Sequence, residues 1–361
     1  MNLAGMLRED VRPVLERWQQ ALPQSAACLE MWCAYHDARG EHEQASQFAD
    51  QALAINPDLY AANVYKLREE FRQDPALALA RAERLLPAAT EGPVRRTVLG
   101  WRGMALDALG RHAEAAGCWR EMVRHPSPGQ ILPPPVAPAD AAPAGKVPGR
   151  LVWTPPGVGA EHVLRQAKAQ LGPRFHLERV GREDDGDGFG LRRFAPGHPE
   201  AGSAGRWEAM MRAAGLEPAE ARDWLPHIDP YTFAALGEAR VLVLLTDPRD
   251  ALLNWMLHGS LQNYHFLPDI GGAAQWLASA LEAVADEAEA SGRIDLVRLD
   301  ADAAEAARQI EQALGLESPL AGLTGSSERL PAGHWRHYAE SLAEEFAVLA
   351  PVAARLGYPA E

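Results

Sequence analysis

Cysteine is scarce in this chain. Its 361 residues include three, Cys28, Cys33 and Cys118, and no two form a CxxC pair. That excludes a disulfide scaffold or a cysteine zinc site and fits a reducing, cytoplasmic setting. Basic residues are also in deficit: 35 Lys and Arg stand against 49 Asp and Glu, a net charge of −14. A nucleic-acid binder needs a basic footprint, so no nucleic-acid partner is expected, while a local basic pocket for an anion stays open. No apolar run approaches the ~20 residues that span a bilayer. The opening MNLAGMLREDVRPVLERW is charged throughout and is not expected to act as a secretion signal. No His/Cys/Asp cluster has metal-ligand spacing. What remains is 47% hydrophobic and 23% charged, ordinary for a globular chain that can bury a core.

Residues 1–125 read as helix after helix, rich in Ala, Leu, Glu, Arg and Gln. Gly40, Asp74 and Gly110 occupy turn positions at a spacing near ~34 residues. Small residues recur after each turn (Ala45, Ala80, Ala115), and prolines recur near the repeat ends (Pro57, Pro93, Pro128). The clearest unit runs from Ala26 to Leu59, with Leu29, Trp32 and Cys33 on one helix and Ala45, Ala49 and Ala52 on the next. Small residues let paired helices approach, large ones fill the groove between pairs, and a proline ends the unit. The pattern resembles tetratricopeptide repeats, arrays that present a concave surface, so a protein partner bound through these repeats is expected.

Residues 126–149, rich in Pro, Ala and Gly, read as a linker. From 150 to 361 the pattern becomes α/β. Leu151–Trp153 is a short strand that breaks into PPGVG and then a helix, AEHVLRQAKAQL. Residues 174–180 read as a second strand, 181–205 as a long loop, and helices are expected over 206–214 and 218–224. Arg240–Leu245 is apolar on both faces, as a central parallel strand should be. A helix over 272–291, a strand over 294–299 and helices over 301–314 and 335–356 complete an alternation that implies a parallel sheet covered by helices.

In such a sheet, ligands sit beyond the carboxyl ends of the strands. The junctions Thr154–Glu161 and Thr246–Asn254 are therefore the candidates. The first sets Gly157 and Gly159 before a helix start, where backbone N–H groups can cradle phosphate. It lacks the GK[ST] ending that would add a lysine, and a tight strand-to-helix turn accounts for it as well.

The second junction, VLVLLTDPRDALLNWMLHG, strongly resembles a sulfotransferase segment, with Asp247, Pro248, Arg249 and Asp250 in its turn. The lead-in HIDPYTFAALGEAR adds Asp229, Pro230, Phe233 and Gly237. GRIDLVRLDADAAEAARQIEQALGL resembles the family's later strand and helix. SSERLPAGHWRHYAESLAEEFAVLAPVAARLGY resembles the closing helix of bacterial sulfotransferases that carry N-terminal tetratricopeptide repeats, through Gly333, Trp335, Arg336, Tyr338, Leu356, Gly357 and Tyr358. The resemblance covers about 150–358 and implies a P-loop-like parallel α/β domain. It also implies 3′-phosphoadenylyl sulfate as sulfuryl donor, a hydroxyl or amine acceptor, and Gly157, Gly159, Thr246, Arg249, Asn254 and Arg336 as donor-binding positions.

The departures are electrostatic. The family's first loop carries a cation and three hydroxyls; here Pro156, Gly157, Val158, Gly159, Ala160 and Glu161 stand in their place. Thr246 replaces a phosphate-binding arginine and Asn254 a serine, so charge-assisted bonds give way to neutral ones about half as strong. Arg249 is the remaining cation, either for a phosphate or for an ion pair with Asp247 or Asp250. Asp250 is expected to cap its helix. His227 is the candidate general base, and His162 a second histidine that could face the cleft. His258 and His265 flank an aromatic stretch suited to core or pocket wall, while His334 and His337 sit near the closing segment. Three readings stay open: an active sulfotransferase, a sulfotransferase-like protein with a degenerate donor site that works by binding, and an enzyme using another ligand on the same scaffold.

Overall fold

The computed structural model describes residues 11–125, 145–176, 189, 201–225, 233, 236, 239–258, 267, 269–323 and 329–359. It is mostly helical, with one small parallel sheet, and falls into two compact units, Met1–His125 and Pro126–Glu361. Among the described residues no helix is long and apolar enough to cross a membrane.

The first unit consists of α1 (Arg12–Ala21), α2 (Ala26–Ala38), α3 (His42–Ile55), α4 (Tyr60–Gln73), α5 (Pro75–Leu85), α6 (Gly92–Ala108) and α7 (His112–Met122). α2 packs on α3, α4 on α5 and α6 on α7. The alanines explain the closeness: Ala45, Ala49, Ala52, Ala78, Ala82 and Ala115 are fully buried and leave no side chain to hold the helices apart. At Gly103 a Cβ would lie 2.2 Å from Trp119 Nε1, so that crossing requires glycine. Asp74 starts α5 by accepting from the Ala76 N–H at 2.9 Å, with Pro75 in the first turn.

The second unit holds β1 (Arg150–Trp153), α8 (Glu161–Leu171), β2 (Phe175–His176), α9 (Ser203–Ala213), β3 (Arg222–Trp224), β4 (Arg240–Leu245), α10 (Pro248–His258), α11 (Ile270–Ser291), β5 (Ile294–Arg298), α12 (Ala303–Leu314) and α13 (Ala343–Arg355). The strands form a five-stranded, all-parallel sheet in the order β2-β3-β1-β4-β5. Val241 to Leu245 are all buried, as the double-sided apolar run of β4 requires.

Two expectations need correction. Residues 218–224 are not a helix: Pro218–Glu220 makes a single 3₁₀ turn, and Arg222–Trp224 pairs with β1 as a strand. Too short to show a period, this strand is held by tertiary partners. Asp223 accepts from Trp207 Nε1 at 2.8 Å, and Trp224 Nε1 donates to Thr154 at 3.1 Å. The closing helix over 335–356 is divided into a 3₁₀ turn, His334–Tyr338, and α13. The turn departs from α geometry where the Asp250 carboxylate captures the Gly333 and Trp335 N–H groups. The later part of the strand expected over 174–180 and most of the loop over 181–205 lie outside the described residues.

Candidate functional site

The carboxyl ends of β1, β4 and β5 open on a cavity of about 470 Å³. Its lining includes Val158, Gly159 and His162 after β1, Thr246, Asp250 and Asn254 after β4, Asp300 after β5, and Arg329 to Ala332 from the closing segment.

The glycines of the first loop serve close approach. Gly157 has φ +86°, and a Cβ there would fall 1.9 Å from the Ala251 carbonyl oxygen on α10. Gly159 has φ +76°, and its Cβ would strike the Arg329 side chain at 2.5 Å. Gly159 lines the cavity; Gly157 packs beneath it against α10.

Arg329, which the motif reading passes over, supplies the cation at this loop. Its Nη2 donates to Glu161 Oε1 at 3.0 Å and its Nη1 to the Gly157 carbonyl at 3.4 Å, with a side chain only 10% exposed. The Glu161 charge is thus answered from within the chain. The signal was a lone arginine in the segment SSERLPAGHW, about 170 residues from its partner, a distance no local spacing rule detects.

Arg249 lies elsewhere. Its guanidinium is 2% exposed and makes a two-pronged ion pair with Asp247, Nε to Oδ1 at 2.9 Å and Nη2 to Oδ2 at 2.7 Å. It also donates to the Pro359 carbonyl at 2.6 Å and stacks 3.6 Å from the Trp335 ring centre. Arg249 thus makes the ion pair with Asp247 and is not in the cavity wall.

Asp250 does not cap α10; Asp247 does, accepting from the Arg249 N–H at 3.0 Å. Asp250 instead accepts the Gly333 N–H at 2.5 Å and the Trp335 N–H at 2.8 Å and ties the closing segment to α10. A carboxylate three residues upstream, just before the helix begins, is the better-placed cap, which leaves Asp250 to reach across. Burial pushes the Asp250 carboxyl up to about 6, against the pull of its two backbone hydrogen bonds, and the nearby Asp247 and Asp300 charges add to the rise. Asp300, also raised by burial, accepts from the Asp247 N–H at 2.8 Å and the Tyr358 hydroxyl at 3.2 Å.

Asn254 makes a second tie: its Oδ1 accepts from the Leu330 N–H at 2.9 Å and its Nδ2 reaches the Leu330 carbonyl at 3.5 Å. The buried Thr246 Oγ1 has no hydrogen-bond partner among the described residues. His162 is exposed at the rim, and its Nε2 accepts from Gln166 at 2.8 Å. Arg336 is exposed, lies over Trp335 at 4.8 Å and is not in the wall. His227 and His265 lie outside the described residues.

Chemically, then, the cavity offers two carboxyl groups of raised affinity for protons, one hydroxyl without a partner among the described residues, one amide engaged with backbone, one imidazole at the rim, and one guanidinium already paired. No protein-family model matches the chain, and no curated protein matches it.

Proposed function

We propose that this chain is a sulfotransferase-like protein whose donor site has become degenerate, and that it works by binding rather than by sulfuryl transfer, with its helical repeats as the surface for a protein partner. One observation carries the reading. The cavity cation, Arg329, is paired with Glu161, and Asp250 and Asp300 bring carboxylates to the same wall. A 3′-phosphate entering there would displace an existing ion pair and face two acids. It would forgo charge-assisted bonds worth about 1.5–3 kcal/mol each. Arg249, the other cation of this junction, is held by Asp247 and the Pro359 carbonyl. The residues present do not fit 3′-phosphoadenylyl sulfate. The partner surface is supported by exposed apolar side chains on the helical unit, among them Leu22, Ile55, Leu77 and Leu109.

The test is calorimetric titration of 3′-phosphoadenosine 5′-phosphate into the full chain. No saturable binding is expected up to ~1 mM. Micromolar binding that disappears in Arg329→Gln would restore the active-transferase reading.

A further inference from the structure

The opposite end of the same sheet carries charge of the other sign. β1, β3 and β4 each begin with an arginine, and the register aligns them: Arg222 pairs with Arg150, and Arg150 with Arg240. Strands lie about 4.8 Å apart, so three guanidinium side chains leave one face of the sheet within roughly 10 Å. Like charges placed directly opposite destabilise a strand pair. The row also stands in the unit that holds most of the chain's acidic excess. Solubility does not call for it.

The three arginines are not equally engaged. Arg222 is directed inward, donating to the carbonyls of Leu314 at 3.1 Å, Glu220 at 2.9 Å and Ala221 at 3.2 Å. It contributes charge but few remaining donors. Arg150 and Arg240 share a single carboxylate, Asp295, at 4.0 Å and 3.5 Å. Each guanidinium has five N–H donors, and among the described residues one carboxylate at these distances engages few of them, leaving the rest to solvent or a ligand. Both arginines and Asp295 line an open recess of about 360 Å³, with Gln309 and Gln312 of α12 also in its wall.

We propose that this recess is a binding site for a tetrahedral oxydianion, the phosphate group of a small phosphate monoester, gripped between Arg150 and Arg240. Two guanidinium groups side by side on one face of the sheet offer more donors than a planar carboxylate can take up and suit a tetrahedral dianion. The recess, walled by β5 and α12, has room for a small molecule rather than a protein surface. Asp295 is the opposing element: it sits on the same arginines, and its charge competes with the incoming anion for them. The site lies across the sheet from the cavity at the strand carboxyl ends, so it stands or falls independently of the reading given there.

The experiment uses the full chain at constant ionic strength. Inorganic phosphate, glycerol phosphate and acetate are each titrated by calorimetry and by thermal shift. Phosphate and glycerol phosphate should bind saturably, and acetate at least about tenfold more weakly. Arg240→Gln, at a side chain already 52% exposed and so safe for folding, should weaken phosphate binding about tenfold or more. Asp295→Asn should tighten it several-fold, and Arg329→Gln should leave it unchanged. The proposal is overturned by the absence of saturable phosphate binding, by acetate binding equally well, or by a response that Arg240→Gln leaves intact and Arg329→Gln removes.

Discussion

Replacing Arg249 by alanine would strip the cation from a carboxylate that has almost no contact with water. In the native chain the pair is 2% and 7% exposed, closes at 2.7 Å, and is shielded on one face by Trp335. Without the arginine, Asp247 keeps its cap on α10 but holds its charge in a buried, uncompensated setting, and the Pro359 carbonyl loses its donor. Removing one partner of a buried pair costs about 3–5 kcal/mol, and the stacking on Trp335 overlaps with that figure rather than adding to it. We expect a loss of about 4 kcal/mol, a large share of the stability of any domain. Urea unfolding followed by tryptophan fluorescence measures it. Exchanging both partners together, Asp247→Asn with Arg249→Met, should recover part of the loss, because the stranded charge is gone. A loss below about 1 kcal/mol, the value for an exposed pair, would refute the argument and return Arg249 to the list of ligand-facing cations.

Two further outcomes follow from the same site. The Asp250 carboxyl sits at about 6 in the fold against an ordinary 3.8, so the folded state holds the proton more tightly than the unfolded chain. Its contribution is therefore full below about pH 4 and is lost as pH rises through about 6, a fall of about 3 kcal/mol that Asp250→Asn should not show; unfolding free energies of both proteins across pH 4–7 check this, and parallel curves would refute it. Gly157→Ala would drive a Cβ into the Ala251 carbonyl, whereas Gly40→Ala at a similar φ of +75° meets nothing within 4 Å. The second should cost about 1 kcal/mol and the first should prevent the α/β unit from folding, read by circular dichroism and thermal melts.

Much of the fold is legible in local pattern. The alanine spacing in the first helices, the apolar run of β4 and the glycine loop after β1 each have a short-range cause, either a helical period or a backbone conformation that only glycine adopts easily. β3 is illegible for the opposite reason. Three residues carry no period, and Arg222–Trp224 is a strand because β1 and β2 flank it and Thr154 and Trp207 hold its side chains.

The site divides along the same line. The sequence alone determined that cations and hydroxyls are missing from the loop at Pro156–Glu161, since residue identity sets formal charge. It also determined that Thr246 and Asn254 offer only neutral donors. Which charges remain available was decided by tertiary structure. Arg249 faces Asp247, Arg329 crosses from the closing segment to Glu161, Asp250 holds the turn at Trp335, and parallel register lines up Arg222, Arg150 and Arg240. Ion pairing depends on distances of a few ångströms between residues up to about 170 positions apart, and only the folded backbone sets them.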